Sequence, residues 1–135
     1  MDNFDKLQFL DDLYYSKDHE WLKKVDDYFL LGVTDYAQDQ LGDVVYVELP
    51  EINKRYKKNE VISTLESVKT VSEVYSPVEC TVIEVNEELT DKPELINKDP
   101  YNKGFIAKVK IANTKELDDL LDKNQYINLI KGQSQ

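Results

Sequence analysis

The spacing of apolar positions changes character along the chain. Leu7, Leu10 and Leu13 recur at helical spacing, over a stretch too short to hold a helix unaided. Residues 1–13 are therefore expected to form an N-terminal leader of uncertain order. From Glu20 the pattern becomes that of strands. Residues 20–22 and 28–33 flank a polar, Asp-rich turn at 23–27. Thr34 then stands where it can cap a short helix ending at Leu41, with Asp35 in the first turn and Gly42 just past the end. Short β-branched and aromatic runs follow at 44–49, 61–65, 71–75 and 81–85, closed by Pro50, Ser76-Pro77 and Asn86. Residues 87–104 hold two prolines and a glycine and look like loop, and alternation at Phe105, Ala107, Val109 and Ile111 predicts a closing strand. Asn113 with Glu116 resembles a helix cap, and Leu117, Leu120 and Leu121 would stripe a C-terminal helix. The expectation is one mainly β domain, a sandwich or barrel, over residues 14–130, with one short internal helix, a C-terminal helix and a tail at 131–135.

Charge narrows the functional classes. Asp and Glu total 27 against 17 Lys and Arg, a formal net charge of −10. Such a surface repels phosphate backbones and anionic leaflets, so neither a nucleic-acid nor a membrane partner is expected. The lone cysteine, Cys80, excludes an internal disulfide and a cysteine-based zinc site. The lone histidine, His19, is without a Gly-x-Ser-x-Gly elbow, and the four glycines are too scattered for a phosphate-cradling loop. No catalytic residue and no metal site is expected.

One segment remains to be explained. Glu66-Ser67-Val68-Lys69-Thr70 joins the strands at 61–65 and 71–75, so Lys69 stands at a hairpin tip. A tip lysine is ordinarily a solubilising group, and the chain has sixteen lysines, so position alone decides nothing. The surrounding pattern does more. Glu66-Ser67-Val68-Lys69 between strands, with Gly42-Asp43-Val44-Val45 upstream and Ser76-Pro77-Val78 downstream, resembles the swinging-arm lipoyl and biotinyl carrier domains. Further stretches narrow the likeness: Lys17-Asp18-His19-Glu20-Trp21, Gly32-Val33-Thr34-Asp35-Tyr36-Ala37-Gln38, Leu41 through Pro50, Leu95-Ile96-Asn97 and Pro100-Tyr101. Together they are similar, in order and over about residues 14–130, to the glycine cleavage system H-protein family.

That resemblance implies a flattened, lipoyl-domain-like β-barrel or sandwich carrying lipoic acid in amide linkage on Lys69. Glu66 would be part of what the lipoate-attaching enzyme reads. Asp18, Glu20 and Glu73 would belong to a cleft that shelters the cationic aminomethyl arm. The carrier would serve a pyridoxal-phosphate glycine decarboxylase, a tetrahydrofolate-dependent aminomethyltransferase and dihydrolipoamide dehydrogenase. It would hold none of their catalysts and act as a monomer, in a bacterial cytoplasm or a mitochondrial matrix. His19 is expected to be structural and Trp21 to pack in the core.

Some positions depart from the family pattern. Cys80 and Asn59 stand where glycine is usual, and Phe105 where tryptophan is frequent. If position 80 required a positive φ, Cys would cost about 1 kcal/mol relative to Gly. Asn59 is the easier change, because Asn tolerates the left-handed region. Three other readings compete: a relay protein supplying lipoyl or octanoyl groups to 2-oxoacid dehydrogenases, an unmodified acidic binding module, and a biotinyl carrier. The last is disfavoured because Val68 and Thr70, rather than Met, flank the lysine.

Overall fold

The computed structural model describes residues 6–133, so residues 1–5 of the leader and the last two of the tail lie outside the described residues. The strands are β1 (Tyr14–Tyr15), β2 (Glu20–Val25), β3 (Tyr28–Val33), β4 (Val44–Glu48), β5 (Arg55–Tyr56), β6 (Val61–Ser67), β7 (Val71–Tyr75), β8 (Cys80–Val85) and β9 (Ala107–Ile111). Helices α1 (Asp35–Leu41), α2 (Glu88–Asp91), α3 (Leu95–Lys98) and α4 (Lys123–Gln133), with a 3₁₀ turn at Thr114–Asp119, complete the described chain. Two open sheets result, ordered β1-β2-β3-β9-β8-β5 and β4-β6-β7, and neither closes into a barrel.

Parity along the strands builds the interior. In β2, Leu22 joins the cluster between the sheets with Leu31, Val82 and Val109, facing Val47, Leu65 and Val74 of the smaller sheet. Trp21 points the other way, into a second cluster with Tyr15, Tyr101, Tyr126 and Ile130, where α4 covers the large sheet. Trp21 is fully buried, its indole N–H donating to the carbonyls of Val33 (3.0 Å) and Pro100 (3.1 Å). Its ring lies over Gly32, where an added Cβ would come within 2.7 Å of the indole, so only glycine fits opposite it.

Several expectations are corrected. The β2–β3 turn contracts to Asp26-Asp27, with Asp26 at φ 52°, a conformation Asp tolerates. Residues 87–104 hold two single-turn helices rather than plain loop. The C-terminal helix begins at Lys123, later than the leucine stripe suggests. Leu117 lies in the 3₁₀ turn capped by Asn113, Leu120 ends that turn, and Leu121 pairs with Tyr15 as an isolated bridge. Cys80 is not among the residues at positive φ. It sits as an ordinary buried strand residue, so the conformational penalty considered above does not arise. Asn59 does adopt φ 71°.

Candidate functional site

Lys69 is exposed at the β6–β7 hairpin, in the three-residue loop Val68-Lys69-Thr70. The loop is short and heavily tied. The Ser67 N–H donates to the Thr70 carbonyl (2.8 Å), while the Ser67 hydroxyl accepts from the N–H groups of Lys69 (3.3 Å) and Thr70 (3.1 Å). The Val68 N–H donates to the Asp43 carbonyl (3.0 Å), which fastens the tip to the elbow between α1 and β4. The lysine stem lies over that elbow: a Cβ added to Gly42, at φ 85°, would stand 2.8 Å from Lys69 Cε.

The elbow itself follows from local sequence. Thr34 caps α1 by accepting from the Ala37 N–H (3.1 Å), and the Gly42 N–H closes the helix on Gln38 (3.0 Å). Around the tip, cross-strand register places Tyr46, Glu66 and Val71 side by side on the outer face of the small sheet. Val45, Tyr46, Val68 and Val71 are all more than half exposed, with Val68 at 70%. Lys69 thus rises from an apolar rim, with the exposed residues Glu66 and Asp43 beside it.

The three acids assigned to the cleft occupy different places. Glu20 shares its strand face with Leu22, so it points inward and is buried. Its carboxylate accepts from the Ser16 hydroxyl (2.5 Å) and the Tyr75 N–H (3.2 Å), tying β2 to the end of β7. Burial lifts its pKa from 4.5 to about 7, against the opposing pull of those hydrogen bonds, and the charge of Asp18 adds to the rise. Asp18 is exposed and lines a groove of about 310 Å³ with Glu20, Ser16, Asn59 and Pro77. Glu73 is not in that groove. It lies opposite Thr64 on the outer face of the small sheet, exposed, and accepts from the Tyr75 hydroxyl (3.2 Å). Tyr75 therefore bridges the two carboxylates, its backbone holding Glu20 and its hydroxyl holding Glu73. This bridge has no signal in the sequence.

His19 is structural, as expected. It adopts φ 74° and its Nδ1 lies 2.9 Å from the Tyr126 hydroxyl, which also lies 2.7 Å from Thr34 Oγ1. Tyr126 of α4 thus joins the loop before β2 to the cap of α1. Among the described residues no group of His, Cys, Asp and Glu is arranged to hold a metal ion, and no helix is long and apolar enough to cross a membrane.

The site thus combines an exposed lysine on a braced tip, an apolar rim and, apart from them, a groove with a buried carboxyl. The glycine cleavage H-protein family model matches residues 13–133. The chain belongs to the glycine cleavage H-protein family. It is 49% identical over 121 residues to the glycine cleavage system H protein of Halothermothrix orenii, covering 90% of this chain and 94% of that one. It is 55% identical over 121 residues to a probable H protein of Pyrococcus abyssi, covering 88% and 90%. The crystal structure of the Mycobacterium marinum H protein superposes with a TM-score of 0.83 at 31% identity, over 90% of this chain and 98% of that one. H proteins are lipoyl carriers that work with the other components of the glycine cleavage system, and the chain is such a carrier component. Neither the relay reading nor the unmodified acidic module is favoured by these relatives.

Proposed function

We infer that Lys69 is the lysine that takes the lipoyl group, and that Glu66 is read by the enzyme attaching it. The observation that supports this most strongly is the bracing of the tip. Five hydrogen bonds hold a three-residue loop, yet the lysine itself remains exposed. Selection of one lysine among sixteen requires such presentation, because a fixed tip offers the transferase few wrong orientations. Acylation removes the ammonium charge and leaves the apolar stem on the Gly42 pad, beside the apolar rim.

When bound, a lipoyl group supplies a disulfide that accepts the aminomethyl unit from glycine and is afterwards regenerated from the dithiol. The protein's part is to present and to shelter. In this reading Asp18 and Glu20 line the groove that would shelter the arm, and Glu73 stands outside it, on the other side of Tyr75. A cationic amine arriving beside Glu20 favours the ionised carboxylate and draws its pKa back down. Tethering raises the effective concentration of the arm at each enzyme it visits. Those enzymes are the pyridoxal-phosphate glycine decarboxylase, the tetrahydrofolate-dependent aminomethyltransferase and dihydrolipoamide dehydrogenase.

The test is isotopic exchange between bicarbonate and the glycine carboxyl, using the lipoylated chain and purified glycine decarboxylase. Exchange with the native chain and none with Lys69→Arg is the expected result. Equal exchange from both would remove Lys69 from the function.

A further inference from the structure

We propose that Asn97, on the single-turn helix α3, is a positioning residue for the modification of Lys69, acting through the α1–β4 elbow on which the hairpin tip rests. The inference rests on the assignment of Lys69 as the modified lysine. Asn97 touches neither Lys69 nor the hairpin, but its side-chain amide is fully used on the elbow. Its Nδ2 donates to the Gly42 carbonyl (2.9 Å) and to Gln38 Oε1 (3.0 Å), and its Oδ1 accepts from the Val44 N–H (2.9 Å). Two of these bonds hold the residues on either side of Asp43, and the third reaches the Gln38 side chain in α1. Asp43 in turn accepts from the Val68 N–H (3.0 Å), and Gly42 supports the Lys69 stem.

The elbow needs outside support. Gly42 sits at φ 85° and ψ −166°, a conformation with no intrinsic preference to hold it among the many open to glycine. Helix α1 is seven residues long and has no basic residue in its last turn. Without Asn97 the Gly42 carbonyl and the Val44 N–H lose their side-chain partners, and the peptide carrying the Asp43 carbonyl is held on the β4 side only by the pairing of Val44 with Ser67. The tip then keeps its internal Ser67 bonds but its anchor is weakened. The transferase meets a correctly placed Lys69 for only a fraction of the time, and its apparent affinity falls by that fraction.

The signature is specific. In Asn97→Ala the apparent KM of lipoylation by a lipoate ligase should rise roughly ten-fold with kcat little changed, as expected when the competent tip is populated about one-tenth of the time. Amide exchange at Val68 should accelerate, while exchange at Leu65 and Val74 in the sheet stays slow. Asn86→Ala is the control. Asn86 is also an interlocking asparagine, donating to the carbonyls of Lys103 (2.7 Å) and Phe105 (2.8 Å), and neither of these side-chain bonds reaches the elbow.

If Asn97→Ala fails to fold, Asn97→Asp keeps the acceptor for Val44 and removes both donors, and the same comparison is made with it. A raised KM with a loosened Val68 amide, absent from Asn86→Ala at similar Tm, supports the proposal. An unchanged KM, or the same rise in Asn86→Ala, overturns it. A native chain that is never modified at Lys69 overturns the assignment on which it rests, and the proposal with it.

Discussion

Glu20 and Gly42 each hold a side chain or a backbone in a state that its residue type disfavours in isolation, and each gives a measurable consequence. Glu20 is a buried carboxyl with its pKa at about 7, against 4.5 for an exposed one. Between those values the folded protein keeps a proton that the unfolded chain has released. The Glu20 contribution to stability is therefore full below about pH 4.5, falls as pH rises, and is lost above about pH 7. Glu20→Gln cannot titrate. Urea unfolding at pH 5 and pH 8 should show the native chain losing roughly 1–3 kcal/mol more than this variant over that interval. Parallel losses would mean that Glu20 is already ionised at pH 5. Gly42→Ala places a Cβ at a positive φ and against Lys69 Cε. Its stability should fall by about 1–3 kcal/mol, and its lipoylation should slow further than the stability loss explains, because the lysine stem is pushed from its seat. Denaturation curves read beside modification rates separate the two effects.

At the scale of elements, the chemistry of caps and turns was legible and tertiary capture was not. Helix α1 is visible from Thr34 to Gly42 because both ends are written in residue types with a local mechanism, and the structure shows that cap hydrogen bond. The bounds of β7 are equally plain, since Ser76-Pro77 ends the strand. β5 was hidden, being two residues in a polar stretch that becomes a strand only by pairing with β8. The leucine stripe at 117–121 misled because those leucines are drawn to the core and to Tyr15 from a 3₁₀ turn and a bridge. In the candidate site, the place of Lys69 and Glu66 on the hairpin could be read from the strand pattern, while the roles proposed for them came only from the family resemblance. The inward aim of Glu20 and the grip of Asn97 on Val44, 53 residues away, could not. α4 also joins the site's scaffold through one hydroxyl, that of Tyr126 beside His19 and Thr34. Tyr126→Phe keeps the ring stacked on Tyr15 but leaves both partners short of a bond. A loss of about 1–3 kcal/mol is expected in urea unfolding, and a loss below a few tenths would mean that water replaces the hydroxyl.

For the whole molecule, the two sheets divide the work. The large sheet is packed on one face by the core and on the other by α4 and the aromatic cluster. The small sheet projects the hairpin, with its apolar outer rim, from an acidic surface of net charge −10. A surface this acidic steers basic faces of other proteins toward it. Membership of the H-protein family follows from a match over residues 13–133, while the assignment of the arm to Lys69 is our proposal, supported by the bracing of the tip. The most direct measurement is mass spectrometry of the native chain and Lys69→Arg after incubation with a lipoate ligase, ATP and lipoate. A single adduct per chain, mapped by peptide mass to Lys69 and missing from Lys69→Arg, is the predicted result. A folded native chain that gains no adduct, or adducts scattered over other lysines and retained in Lys69→Arg, would contradict it.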